Sequence, residues 1–375
     1  GSQIKVIVFI GNQLPPRISR ISKWIRKGDE NIRTILLCYK SGYYKMFSNK
    51  DWNLQISFRN KYHLKRLINN INNIYLVHAF APKSYYPYII LKNFNFPFII
   101  DYQDVIATYY GLNSKLKWVQ NELPIEKYCF ANAHGIVAQS PEPIIGFRTY
   151  RITNKPKNIF FPLYCDDDQL INKSKELVLN DIHLVYAGGV AGSHRKKSQY
   201  GHIQFHKLIS DLSAQKINLH IYPSPSNLKA DYEEYQKIAS KNPYFHFHDP
   251  IPNENLTTEL SKYHFGILPF LLSETKQTTT KFKNANALKL FNYMEAGIPI
   301  IVSNDLHFQK HIVLRYHSGF AFDFNEAIKL KESIKLINYD KLSQDIIINR
   351  NSISLKHQIS RLLRFYDLIH DKVQY

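Results

Sequence analysis

The sequence predicts an α/β fold in two domains of parallel βα units. Short apolar runs of strand length alternate with amphipathic helical stretches along the chain, the pattern of parallel sheets covered by helices. A polar stretch rich in Asp, Lys and Asn at 165–181 interrupts that rhythm once, and the rhythm then restarts. A length of 375 residues is long for one core and comfortable for two.

The first apolar run, 4–10, ends at Gly11 and leads into 17–27, where Ile18, Ile21 and Ile25 recur at helical spacing. Strands are predicted next at 32–39, 54–58, 74–80, 97–103, 135–140 and 158–164, with helical stretches such as 61–71 and 124–132 between several of them. Residues 165–181 read as the interdomain linker. Beyond it, strands are predicted at 182–190, 217–224, 245–248, 265–270, 299–304 and 319–323, and helices near 202–214, 232–240, 253–263, 286–296 and 326–337. The tail, 353–371, carries Ile359, Leu362, Leu363, Tyr366 and Ile369 at helical spacing. The expected domains are therefore 3–165 and 182–350, followed by a terminal helix within 351–375.

Composition narrows the function. The 44% hydrophobic content is globular, and a net charge of +19 calls for an acidic partner: a nucleotide diphosphate, an anionic lipid surface, an acidic glycan or nucleic acid. One nucleotide needs only a few cations, so the surplus points to a larger anionic surface. The best candidate for a membrane span, 85–100, is broken by Pro87, Lys92, Asn93, Asn95 and Pro97. No signal-peptide pattern is seen, and Cys38, Cys129 and Cys165 are too far apart for a disulfide framework or a zinc site. The expectation is a cytoplasmic protein, peripheral on the inner face of the membrane. The cations Arg17, Arg20, Lys23, Arg26 and Lys27, with Arg59, Lys61, Lys65 and Arg66, and the aromatics of 85–98, suit that surface; a solvated basic face is the plainer alternative.

The most specific segment is Asn286-Ala-Leu-Lys-Leu-Phe-Asn-Tyr-Met-Glu295-Ala-Gly297-Ile-Pro299-Ile-Ile-Val-Ser303. Gly297 and Pro299 are stop signals, so it reads as a helix handing directly to a buried strand. Ala287, Leu290, Phe291 and Met294 share one apolar arc, with Glu295 at its margin. A carboxylate in the last turn opposes the helix dipole, so another interaction, an ion pair or a ligand, holds Glu295 there. Upstream, Gly188-Gly189-Val-Ala-Gly192 follows a strongly apolar strand and precedes Arg195, Lys196 and Lys197. Closely spaced glycines admit a phosphate to the backbone and clustered cations neutralise it; a solvated basic loop is the alternative.

The 286–303 segment resembles the donor-site helix of GT-B glycosyltransferases of the family 4-like group, which carry patterns like Lys-Leu-Phe-Glu-Tyr-Met-Ala-Ala-Gly-Lys-Pro-Val-Ile. The resemblance covers most of the chain. It implies two Rossmann-like domains facing a cleft, with the C-terminal helix crossing back to pack on the N-terminal domain. It further implies that Glu295 holds the ribose of a nucleotide-sugar, while Ala287 stands where many members have a first Glu. Gly189 and Arg195, with Lys196 or Lys197, would bind the donor diphosphate, and Thr280, Lys281, Lys283, Asn284, Asn286 and Lys289 would lie near the donor sugar and phosphates. Tyr222 and the strand ends around His246 and His248 would cradle the base. On the acceptor side, Asp104, then Asp101, then His78 are candidate general bases. Gly11, Asn12 and Gln13 would contact acceptor or sugar.

The function implied is metal-independent transfer of a sugar from a nucleotide-sugar to a glycan or lipid-linked acceptor. Neither a metal nor another cofactor is expected, because His246 and His248 lack a third ligand. The rivals are another GT-B reaction, such as nucleotide-sugar epimerisation, and a basic nucleic-acid-binding protein. The second rival lacks any zinc-finger, RRM or KH signature, so nucleic acid is not an expected partner.

Overall fold

A computed structural model describes residues 4–11, 16–40, 49–81, 83–172, 175–274 and 279–374. The chain divides into two compact units, Gly1–Tyr164 with Leu355–Tyr375, and Cys165–Ser354.

The first unit is built on seven strands: β1 (Lys5–Gly11), β2 (Ile32–Tyr39), β3 (Leu54–Phe58), β4 (Ile74–Ala81), β5 (Phe98–Tyr102), β6 (Gly135–Ala138) and β7 (Lys157–Phe160). All pair in parallel in the order β3-β2-β1-β4-β5-β6-β7. The near-continuous apolar runs of the central strands follow from burial on both faces: Ile7–Ile10 and Phe98–Tyr102 are fully inside. The order reverses direction between β1 and β4, which makes a switch point at their C-terminal ends.

The last helix, Leu355–Gln374, completes this unit. Its buried stripe is Ile359, Leu362, Phe365, Tyr366 and Ile369, and each such side chain contributes about 1.5–3 kcal/mol. Gly135 explains how closely the helix approaches: a Cβ there would lie 2.9 Å from Ile369 and 3.0 Å from Phe365. Lys5 and Tyr75 both bind Asp367, at 2.8 and 2.5 Å.

The second unit has six parallel strands, β8 (His183–Gly188), β9 (Asn218–Pro223), β10 (Phe245–Phe247), β11 (Phe265–Leu268), β12 (Ile300–Ser303) and β13 (Gly319–Phe322), ordered β10-β9-β8-β11-β12-β13. Its switch point lies between β8 and β11. The segment read as a linker, 165–181, belongs to this unit: the Cys165 and Ile171 amides bond to the carbonyls of Ile353 and Glu295. The helix predicted at 286–296 spans Leu288–Ala296 and ends as expected. Gly297 takes the left-handed conformation (φ 73°), and its amide and that of Ile298 close the last turn on Met294 and Tyr293. The start is later than predicted because Thr279–Asn284 forms its own short helix and Ala287 is extended.

Candidate functional site

At the C-terminal end of β8, Gly188 meets the ammonium of Lys289. Lys289, on the first turn of the Leu288–Ala296 helix, reaches back over the rings of Tyr186 and Phe270, 5.1 Å from each centroid. Its ammonium lies against Gly188, 2.9 Å from where a Cβ would sit. Among the described residues no carboxylate pairs with it. Burial without a counter-charge lowers its pKa to about 8. The same helix starts with no side chain capping its first turn, which leaves N–H groups suited to an anion. Burial first, and the Lys289 charge second, push His202 down to about 4.

The basic loop after β8 is clamped from below. Arg195 donates to Asp231 at 2.9 Å and lies 3.9 Å over the Tyr200 ring. Buried Asp231 also accepts the Gly192 amide at 2.8 Å, and Glu234 accepts the Ser193 amide and bonds His206. Lys196 and Lys197 are both exposed. Lys197, with Arg195, His202, His206, Pro269 and Phe324, lines a cavity of about 310 Å³. Gly189 accepts the Tyr186 hydroxyl through its carbonyl at 3.0 Å.

Glu295 requires a correction. Its side chain is wholly buried and accepts the Asp166 amide at 2.8 Å and the Thr257 hydroxyl at 3.4 Å. Arg350 binds the carbonyls of Met294 and Glu295 at 3.1 and 3.0 Å, so a cation offsets the negative end of the helix. This carboxylate ties Asp166 to the helix and is turned inward, while the Glu295 backbone carbonyl accepts the Ile171 amide. Register gives the reason: in the family pattern the Glu follows Lys-Leu-Phe directly, and the residue after Lys289-Leu290-Phe291 is Asn292. Asn292 is 6% exposed, and its carboxamide makes no hydrogen bond among the described residues. It lies three residues after Lys289, on the same helix face.

Tyr222 is likewise packed rather than presented. Its hydroxyl bonds Glu259 at 2.6 Å and Tyr263 at 2.5 Å, and its ring stacks on His248 at 4.3 Å. The histidines around it form a hydrogen-bonded row: Asp181 to His183 (2.9 Å), His183 to His220 (2.8 Å) and His220 to His248 (2.9 Å). His246 stacks on His220 at 4.3 Å and bonds Asn218. Of the loop before the donor helix, 275–278 lie outside the described residues. Lys281 is buried, Thr280 is exposed, Lys283 is half-buried, and Asn284 folds back on the Thr280 carbonyl. Asn286 is half-buried in the link to the helix.

In the first unit the structure corrects two of three candidate bases. Asp101 and His78 are wholly buried. Asp101 is bonded by Arg17 (3.2 Å), His78 (3.3 Å) and Gln139 (2.7 Å), and His78 is bonded to Tyr366 (2.6 Å). Burial pushes the Asp101 carboxyl up, but the Arg17 charge and the His78 and Gln139 bonds outweigh it and hold the pKa below its ordinary value. This is a structural ion pair, inaccessible to an acceptor. Arg17, expected on a basic surface, also holds the Phe161 and Pro162 carbonyls at 2.8 and 2.7 Å and is 1% exposed. No short-range signal marked Arg17, Gln139 and Tyr366 as partners of Asp101.

Asp104 remains half-buried in the loop after β5. The chain beyond it is fixed by Glu126, which accepts the Ile106 and Ala107 amides at 2.7 and 3.0 Å, and by Glu142, which accepts the Val105 amide at 3.3 Å. Burial lifts the Glu126 pKa to about 7. Gly11 closes β1 beside Cys38, and Asn12 and Gln13 lie outside the described residues.

Among the described residues, no group of three His, Cys, Asp or Glu side chains could hold a metal, and no helix is long and apolar enough to cross a membrane. Residues 199–361 match the family model described as the C-terminal domain of glucosyltransferase 3-like proteins. A comparison with curated proteins finds no match. Among solved structures, the chain is similar to sucrose-phosphate synthase from Thermosynechococcus elongatus, at 12% identity and a TM-score of 0.70 over 98% of this chain and 100% of that one. A glycosyltransferase from Rickettsia africae is 14% identical, with a TM-score of 0.71 over 97% and 98%. HepE of Anabaena, in complex with UDP-glucose, is 12% identical, with a TM-score of 0.64 over 96% and 99%.

Proposed function

We propose that this chain, a glycosyltransferase of GT-B fold, moves a sugar from a nucleotide-sugar donor to a glycan or lipid-linked acceptor without a metal. One observation carries the reading of the donor site. The part-buried Lys289 ammonium, with no carboxylate partner among the described residues, stands against Gly188 at the end of a central strand. A bare buried ammonium is costly, and a bound diphosphate relieves that cost. The UDP-glucose held by HepE supports a nucleotide-sugar as the donor.

In the reaction the bond from the anomeric carbon to the diphosphate oxygen breaks, and a bond to the acceptor oxygen forms. Negative charge then collects on the departing diphosphate. Lys289, Lys197, the remaining donors of Arg195 and the first amides of the Leu288–Ala296 helix supply fixed positive potential there, which lowers the barrier without reorganisation. Asp104 is the proposed group that takes the acceptor hydroxyl proton. Asn292, beside Lys289 on the helix, is available to the ribose in place of Glu295.

The test is calorimetric titration with UDP, GDP, CMP and dTDP, repeated on Lys289→Ala. One diphosphate should bind, and the variant should lose about 10–100-fold in affinity, roughly 1.4–2.8 kcal/mol. Undiminished affinity in a folded variant would remove Lys289 from the site.

A further inference from the structure

The connection between the Ile106–Tyr110 and Lys117–Asn132 helices exposes three large apolar side chains within seven residues: Leu112 (48%), Leu116 (49%) and Trp118 (39%). Lys115 and Lys117 alternate with them and are exposed, and the Lys83 ammonium lies 5.3 Å over the Trp118 ring. No acidic residue occurs between Asp104 and Glu122.

The tip is built rather than loose. Gly111 turns the chain at φ +75°, Ser114 accepts the Leu116 amide at 3.3 Å, and Gln120 donates to the Ser114 carbonyl at 3.2 Å. Tyr110 packs edge-on against Trp118 at 5.0 Å. Beneath it, the Ile106–Tyr110 helix is anchored by the Glu126 and Glu142 carboxylates.

We infer that residues 112–118 form a membrane-contacting tip that seats Leu112, Leu116 and Trp118 in the interface of an anionic bilayer. Leucines enter the acyl boundary, a tryptophan rests at headgroup depth, and lysines reach back to lipid phosphates. A protein partner fits less well, because the centres of protein interfaces are depleted in lysine, and here lysine separates every apolar contact. The charge of the tip is complementary to anionic headgroups. The expected basic surface of the first helix is reduced by the burial of Arg17, and this tip takes over that role. The inference does not depend on the donor-site reading.

Trp118 makes it testable on the full chain. Trp24 and Trp52 are 7% and 4% exposed, so environment-sensitive emission and quenching by lipid-borne bromine report mainly on position 118. Vesicles of phosphatidylcholine with phosphatidylglycerol should shift the emission to the blue and quench it when brominated; phosphatidylcholine alone should do neither. The double variant Leu112→Ser/Leu116→Ser should sediment with anionic vesicles at least tenfold less well while keeping its circular dichroism and nucleotide affinity. Equal binding to neutral vesicles, absence of bromine quenching, or full binding by the double variant would overturn the inference. So would a dimer in sedimentation velocity that the double variant abolishes, which would assign the tip to a second copy.

Discussion

Acidification should unfold the second unit before the first, because its sheet is built over neutral imidazoles. The Asp181 carboxylate only accepts, so His183 must donate to it from Nε2 and accept at Nδ1 from His220. His220 must then accept at its own Nδ1 from His248. A proton added to His220 would set two donors face to face. Burial, followed by the charges of His246, His248 and His183, pushes the His220 pKa down to about 2. Burial and the Lys175 charge push His264 down to about 4. Both groups are within a tenth of full burial.

The unfolded values lie near 6.5, so the unfolded state binds protons that the folded state refuses. Stability is therefore complete above about pH 6.5 and falls as the pH drops below it. At pH 5 each group removes about 2 kcal/mol, and the pair about 4, against a total of roughly 5–15 kcal/mol for a domain. A domain of this size should melt some 8–16 °C lower at pH 5 than at pH 7.5. The three tryptophans, Trp24, Trp52 and Trp118, all belong to the first unit. Melting followed by far-ultraviolet circular dichroism should thus shift much more than melting followed by tryptophan emission, and His220→Gln should remove a sizeable part of the pH dependence, the rest staying with His264 and His202. Coincident curves at both pH values would refute the neutral row.

Glu295→Ala should destabilise the protein by about 1–3 kcal/mol, the cost of a buried amide left without its acceptor, in urea unfolding followed by circular dichroism. Its nucleotide affinity, by calorimetry, should stay within twofold of the parent. Asp101→Ala strands a buried guanidinium and should cost about 3–5 kcal/mol, visible in tryptophan-monitored unfolding of the first unit. Sugar transfer should persist in EDTA; activity lost to the chelator and restored by Mg²⁺ or Mn²⁺ would count against a leaving group held by Lys289 and its neighbours.

Much of the fold was legible because both sheets are parallel and internal, so their strands read as apolar runs and the helices between them as periodic ones. Gly297 and Pro299 marked the turn from helix to β12 because each acts on its own backbone. Pro124 misled in the other direction: it sits inside the Lys117–Asn132 helix, which begins seven residues before the predicted start. The site was legible only as far as local chemistry reached. Gly188, Arg195 and Lys289 were singled out from neighbours in sequence. The partners that seal Asp101, Glu295 and Tyr222 lie 84, 129 and 37 residues away, beyond what spacing encodes. Glu295 was also a matter of register, since a shift of three residues along a helix exchanges a buried carboxylate for the carboxamide of Asn292.

The return of the chain at Leu355 bears on how the protein is made. The second unit is an insertion within the first, so every one of its residues leaves the ribosome before the first unit can close. Until residues 355–374 emerge, Gly135 faces no Ile369 or Phe365, and His78 has no Tyr366. The usual vectorial order, in which the N-terminal domain folds first, is thereby inverted: the inserted unit is complete while its host still exposes an unfinished core. A chain ended at Ser354 and held on the ribosome by a linker long enough to clear the exit tunnel should carry a protease-resistant second unit and a protease-sensitive first one.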